Sequence, residues 1–309
     1  LSFGSIVRSK TSVKNNDGYY IFKEYFYMSI KTFANSALEK SVDAFVLQPV
    51  TVQLIRNATI KVRVAGTTFL IDPMLDPKGA WPGFSGTFHS EKNNPLVDLP
   101  LSIEEILADV DAVIVTHTHP DHWDKTAQQQ LPKNIPLFVQ NDADCRLITS
   151  QGFNNVRILQ ADTQFNAIQL TPVTGQHGTE EMYRQPELAA RLGQTIGVVI
   201  TAEAAKSVYV VGDTVWCPAV DQAIAAFSPQ IIILNAGYAQ FKAFSGSIIM
   251  GQEDIEKALK RAPKANIVAI HLEAVNHATL SRRALSGYLE RHNIAAQVAI
   301  PVDGETLML

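Results

Sequence analysis

The 309-residue chain is 46% hydrophobic and 18% charged, an ordinary globular composition with enough apolar material for a substantial core. Its 26 Lys and Arg against 30 Asp and Glu leave a formal net charge of -4, which removes any general attraction to a polynucleotide, so no nucleic-acid partner is expected. Two cysteines, Cys145 and Cys217, argue against a disulfide framework and point to a cytoplasmic location, and no apolar run reaches the ~18 residues of a membrane span, so no stable membrane insertion is expected.

In chain order, residues 1–45 read as an N-terminal extension outside the core: a polar start, an aromatic patch over 19–30 interrupted by Lys23 and Glu24, and a helix-like stretch over 29–40. Met28 is the first methionine, and a natural start near it, preceded by an upstream extension or a processed leader, is the expectation. From residue 46 to 309 a single catalytic domain is expected. It opens with TVQLI, TIKVRV and TFLID, three short strands joined by turns at Asn57 and Ala58 and at Ala65 and Gly66. Asp72 closes the third strand. Residues 76–94 are dense in Gly, Pro and aromatic residues without periodicity, the pattern of a functional or mobile loop.

Ser102 and Glu105 make an S-x-x-E capping box for a helix ending near Asp109. Beyond it, IPLFV, VRIL, IQLTPV, IGVVIT, SVYVVG, IIILN, NIVAI and AQVAI predict strands, with helices over 125–130, 219–227, 252–261 and 280–292. No tandem repeat or low-complexity segment occurs.

Residues 116–122 read THTHPDH directly after the apolar run DAVIV, so His117, His119, Asp121 and His122 leave the end of a buried strand together. Imidazole nitrogen and carboxylate oxygen are ligands that zinc, manganese and iron accept, and packing alone gives no reason to gather four such groups. Three further candidates stand just past later strands: His177 between Gly175 and Gly178, Asp213 at the end of SVYVVGD, and His271 at the end of NIVAIH. A polar group closing an apolar strand is costly unless a cation or hydrogen bonds await it.

On these residues the chain resembles the metallo-β-lactamase superfamily: THTHPDH matches its HxHxDH motif, His177, Asp213 and His271 match its later ligands, and Asp72 matches its early aspartate. THTHPDHWD, VVGDT and HLEAVNH look most like the branch of L-ascorbate 6-phosphate lactonase-like proteins. The resemblance implies an α+β fold, a four-layer αβ/βα sandwich with the site at one edge between two sheets. It also implies two divalent metal ions, zinc first with manganese or iron as alternatives: one held by His117, His119 and His177, the other by Asp121, His122 and His271, with Asp213 bridging.

Two such cations roughly 3.5 to 4 Å apart can bring the pKa of a shared water towards ~7, giving the hydroxide for hydrolysis of a small-molecule ester, lactone or phosphodiester. Asp121 is the expected catalytic residue that orients that water or accepts its proton. His277 reads either as a second catalytic residue, a leaving-group acid or substrate hydrogen-bond donor, or as a surface helix cap. Trp81, Phe84, Phe88, His89, Tyr183 and Phe241 are candidate pocket walls, Arg184 and Lys242 candidate anion contacts, and Cys217 a neighbour of the site or an inert buried thiol. The competing function is an iron-dependent oxidoreductase on the same ligands, and the partner expected is a small-molecule substrate, with homo-oligomerisation open.

Overall fold

The computed structural model describes residues 7–14, 20–27, 48–203 and 205–309. The backbone divides into two compact units, Leu1–Val46 and Leu47–Leu309. In the first, β1 (Val7–Lys14) pairs antiparallel with β2 (Tyr20–Tyr27), so a strand ladder occupies much of the polar start and the aromatic patch. The helix expected over 29–40 lies outside the described residues.

The second unit is built on two mixed seven-stranded sheets. The chain enters the first through the hairpin β3 (Thr51–Arg56) and β4 (Thr59–Val64), then β5 (Thr67–Ile71), helix α1 (Ile103–Leu107), β6 (Ala112–Val115), α2 (Lys125–Gln130), β7 (Leu137–Val139), α3 (Asp142–Ser150) and β8 (Val156–Ile158). It crosses to the second through β9 (Gln164–Phe165) and β10 (Ile168–Thr174), α4 (Glu180–Tyr183), α5 (Pro186–Leu192), β11 (Ile196–Thr201) and β12 (Val208–Val210). Then follow α6 (Pro218–Phe227), β13 (Ile231–Asn235), α7 (Gln252–Arg261), β14 (Asn266–Ile270), α8 (Arg282–Arg291) and β15 (Val298–Ala299). A last strand, β16 (Thr306–Met308), returns to the first sheet and pairs with β3.

β5 to β8 run parallel, as do β12 to β15, and the runs AVIV, VYV and IIILN are buried throughout, as strands covered on both faces must be. Ile60, Val62, Phe69, Ile71 and Ile114 of the first sheet share one core with Leu170, Val198, Ile200, Ile233 and Val268 of the second. Ile106, Ala127 and Ile148 put α1, α2 and α3 on the outer face of the first sheet; Val220, Ile255 and Leu285 put α6, α7 and α8 on the outer face of the second. The order is therefore helix, sheet, sheet, helix, the expected α+β four-layer sandwich. No helix among the described residues is long and apolar enough to cross a membrane.

Several boundaries differ from expectation. The capping box at Ser102 forms, but α1 stops at Leu107, and Asp109 takes a left-handed φ of 58°. The last helix starts at Arg282 because the Ser281 hydroxyl accepts the Ala284 N–H. α3, α4 and α5 were not anticipated; α3 carries mostly polar residues and is set by Asn141, whose Oδ1 accepts the Asp144 N–H, and by the burial of Ile148. AQVAI contributes only two strand residues, and TLM is too short to announce β16. Parallel β5 and β6 in one sheet, and parallel β12, β13 and β14 in the other, bring Asp72, residues 116–122, Asp213, Asn235 and His271 to one edge of the sandwich, the place where carboxyl ends of parallel strands hold ligands.

Candidate metal centre

Thr116 anchors the loop after β6: its N–H and hydroxyl each donate to the Asp72 carboxylate at 2.7 Å. The chain then folds back, with the N–H groups of His122 and Trp123 both donating to the His119 carbonyl. This tight turn aims alternate side chains inward. Three sets of ligand atoms result, each set within 4.8 Å: His117, His119 and His177; His117, His122 and Asp213; and Asp121, His122 and His271. All seven residues singled out by the motif pattern meet here. Asp213 Oδ2 is the shared point, 3.1 Å from His122 Nε2, 3.7 Å from His271 Nε2 and 3.8 Å from His177 Nε2.

The tautomers suit a cation. His119 Nε2–H donates to the Arg191 carbonyl at 2.9 Å, His177 Nδ1–H to the Ile248 carbonyl at 2.9 Å, His122 Nδ1–H to Asp72 at 2.9 Å, and His117 Nδ1–H to Thr116 Oγ1 at 3.2 Å. The rings of His117, His119 and His177 thereby turn a bare nitrogen inward, while His122 presents its Nε2 to Asp213 at 3.1 Å. His117 Nε2 and His119 Nδ1 face each other at 3.0 Å, and two lone pairs at that distance repel unless a positive charge lies between them. Two nitrogens bound to one tetrahedral zinc at ~2.0–2.1 Å would stand roughly 3.3 Å apart.

Electrostatics agree with the geometry. Burial opposes ionisation of Asp121 and Asp213, yet His122 and His271 outweigh it, and both carboxyls are held well below the ordinary range. His122 is correspondingly raised, because Asp213, Asp72 and Asp121 more than offset the burial of its ring. Burial pushes His177 down to about 4 and lowers His117, so these rings stay neutral donors of a lone pair. Among the described residues no Lys or Arg pairs with Asp72, Asp121 or Asp213. A donor set of buried carboxylates and imidazoles fits divalent cations.

A cavity of about 170 Å³ opens onto this cluster, lined by Phe84, Pro120, Leu192, Phe241 and Ile248 with His119, Asp121, His177 and His277 at its base, and Thr87 and Arg191 also present. Of the expected wall residues, Phe84 and Phe241 line it. Trp81 packs edge-on behind Phe84 at 5.2 Å, and Tyr183 lines a neighbouring cavity while its hydroxyl accepts the His177 N–H. Phe88 and His89 turn outward, with the His89 side chain 55% exposed. Arg184 pairs with Glu180 at the surface and Lys242 is exposed, so neither lines this cavity; the cation there is Arg191, which sequence reasoning missed. Cys217 is buried at the start of α6 and lies outside the cavity lining. His277 is buried in the cavity wall against Phe84, at 4.6 Å, so the surface-cap reading of it is corrected.

A family model described as a beta-lactamase superfamily domain matches residues 67–272. The chain belongs to the metallo-β-lactamase superfamily. It is 46% identical over 252 residues to UPF0173 protein YddR of Bacillus subtilis, which covers 82% of this chain and 97% of that protein. Its fold is similar to a possible metal-dependent hydrolase from Veillonella parvula, 49% identical with a TM-score of 0.83 over 85% of this chain and 100% of that one. It is also similar to an isothiocyanate hydrolase from Delia radicum gut bacteria, 44% identical with a TM-score of 0.81 over 84% of this chain and 99% of that one. With these relatives, the chain is a metal-dependent hydrolase of the superfamily.

Around the superfamily motif, this chain adds supports that pattern reading did not find. Asn235 Nδ2 donates to Asp213 Oδ1 at 2.6 Å, and Thr195 Oγ1 donates to the Asp213 carbonyl at 2.6 Å. A lone polar residue ending IIILN was the available signal for Asn235. The irregular loop over 76–94 is fastened by Asn276, whose amide accepts from Phe84 N and Asn94 Nδ2 and donates to Thr87 Oγ1 and the Phe88 carbonyl. Gly237 is required by close approach: a Cβ there would sit 2.0 Å from the His271 carbonyl oxygen. Gly237→Ala is expected to displace His271 and lower zinc affinity by about 10-fold or more, measured by competition with a chelator; wild-type affinity would contradict this.

Proposed function

We propose that the enzyme holds two divalent cations, zinc first with manganese or iron as alternatives, and hydrolyses a small electrophile with an apolar tail. His117, His119 and His177 would hold one, Asp121, His122 and His271 the other, with Asp213 shared. The observation that carries this reading is Asp213 Oδ2 within 3.8 Å of three imidazole nitrogens, beside a mostly apolar cavity. When bound, the cations supply Lewis acidity and a water of lowered pKa.

The residues of the chain do the rest. Asp121, ionised at the cavity base, orients the attacking water. His277 is pushed down to about 3 by burial, so its imidazole is neutral and serves as a hydrogen-bond partner to the leaving group rather than as an imidazolium acid. Its Nδ1 is buried without a protein partner. Phe84, Leu192, Phe241 and Ile248 exclude water from the tail.

Among esters, lactones and phosphodiesters, the cavity favours neutral substrates. Among the described residues the one Lys or Arg side chain lining it, Arg191, is already engaged: Nη1 donates to the Ser85 carbonyl at 2.9 Å and the guanidinium lies 5.1 Å from the Phe241 ring centre. A phosphorylated sugar lactone would find no basic cluster. An isothiocyanate, the substrate class named for one relative, suits the same walls. Water adds to its central carbon, forming a C–O bond; the C–N bond of the resulting thiocarbamate then breaks, nitrogen takes the protons, and an amine and carbonyl sulfide leave. Two cysteines in 309 residues suit a cytoplasmic location for this enzyme.

The test is metal quantification on the purified chain, then assay of aryl and alkyl isothiocyanates beside neutral lactones, esters and phosphodiesters. Expected is about two ions per chain, turnover of the neutral substrates, and loss of at least ~100-fold on chelation that added zinc, manganese or iron reverses. Activity untouched by complete metal removal would refute the mechanism.

A further inference from the structure

The turn between β3 and β4 carries a residue that its position in a hairpin does not explain. Asn57 has φ 60° and is 1% exposed. Its main-chain carbonyl accepts the N–H of His271 at 2.9 Å, and His271 itself sits at φ 61°. Its side-chain Nδ2 donates to the Asp121 carbonyl at 3.1 Å and lies 3.4 Å from His271 Nε2. One residue thus touches both Asp121 and His271, from opposite ends of the domain sequence.

His271 needs such a partner more than the other rings do. His117, His119, His122 and His177 are each oriented through a hydrogen bond on their outward nitrogen. The outward Nδ1 of His271 is buried with no partner. Glycine would satisfy φ 60° without strain, so turn geometry alone does not call for asparagine. The Asn57 Oδ1 is buried unpaired, a cost that a residue kept for turn stability alone would not carry.

We propose that Asn57 is the positioning residue for the Asp121, His122 and His271 ion, holding the loop of Asp121 through its side chain and the backbone of His271 through its carbonyl, while the His117, His119 and His177 ion does not depend on it. This rests on the two-ion reading above. It makes the two halves of the centre separable by a substitution outside the proposed ligand set.

The experiment is a zinc titration of the full, metal-free chain by calorimetry with chelator competition, comparing wild type, Asn57→Gly and Asn166→Gly. Asn166 also occupies a left-handed turn, at φ 48°, but is exposed, so it controls for the backbone entropy that glycine adds. Expected is that Asn57→Gly weakens one zinc ion by about 10- to 100-fold while the other stays within about twofold of wild type. Asn166→Gly should match wild type for both. Thermal unfolding of the metal-free chains checks that Asn57→Gly is folded. Two zinc ions in wild type with both retained at wild-type affinity in Asn57→Gly, or both weakened alike, overturns this inference alone. Fewer than two ions in wild type overturns the two-ion reading and this inference with it.

Discussion

On the two-ion reading proposed above, Asp213→Ala is expected to abolish hydrolysis, by about 10³-fold or more, and to strip both cations from the chain. Among the described residues no other side chain has one oxygen near nitrogens of His122, His177 and His271 together. Its second oxygen is held by Asn235 and its carbonyl by Thr195, so the carboxylate is fixed before any ion arrives. The effect has two parts, loss of a shared ligand and loss of the negative charge that balances the cations, and Asp213→Asn separates them by keeping the shape and removing the charge. Without Asp213, His122 loses the largest opposing charge that raises it, and the burial of its ring then favours the neutral form. Elemental analysis of metal per chain, beside turnover of the best substrate, reads the outcome. Wild-type turnover in Asp213→Ala would remove the shared-ligand reading.

Arg56→Ala is expected to cost about 3–5 kcal/mol of stability, a large part of the 5–15 kcal/mol that holds a typical domain. Arg56 is fully buried, and its guanidinium donates to the carbonyls of Val97 at 3.0 Å, Met74 at 2.9 Å and Asp76 at 2.8 Å. Removing it leaves the buried carbonyl oxygens of Met74 and Asp76 unpaired, each costing about 1–3 kcal/mol when nothing replaces the bond, and frees the half-buried one of Val97. Burial pushes its pKa down to about 10, with Asp124, Asp303, Asp76 and Asp98 opposing, so it remains charged at neutral pH. Lysine is not expected to rescue the site, because one ammonium cannot reproduce a planar fork. Urea unfolding of the metal-free chain measures this without contribution from bound ions. A loss below about 1 kcal/mol would show that the loop segment over 74–97 is held by other means.

Both residues illustrate how differently the parts of the molecule were legible. The buried strands were readable because parallel strands covered on both faces must be continuously apolar, as AVIV and IIILN are, whereas their stacking as a four-layer sandwich was implied by the resemblance to the superfamily. α3 was not, since a polar helix set by one cap and one buried apolar side chain leaves little periodicity, and α5 was not, since its seven residues bury only Leu192 and have no side-chain cap. The cavity walls were half legible. An aromatic residue in an irregular loop points inward or outward according to how the loop is tied, so Phe84 faces the cavity and Phe88 does not, although both belong to one loop fastened by Asn276.

The sequence by itself determined which seven side chains to name, because imidazoles and carboxylates at the ends of apolar strands carry a desolvation cost that packing does not repay. It could not name what orients them. The Arg191 and Ile248 carbonyls exist at every residue type, Asn57 is an ordinary turn residue, and Arg56 carries no motif. Their roles arise only when segments distant in the chain, up to 214 residues apart for Asn57 and His271, are brought within hydrogen-bond reach. Ligand identity is local chemistry and leaves a pattern; ligand orientation is a property of convergence, and tertiary structure alone decided it.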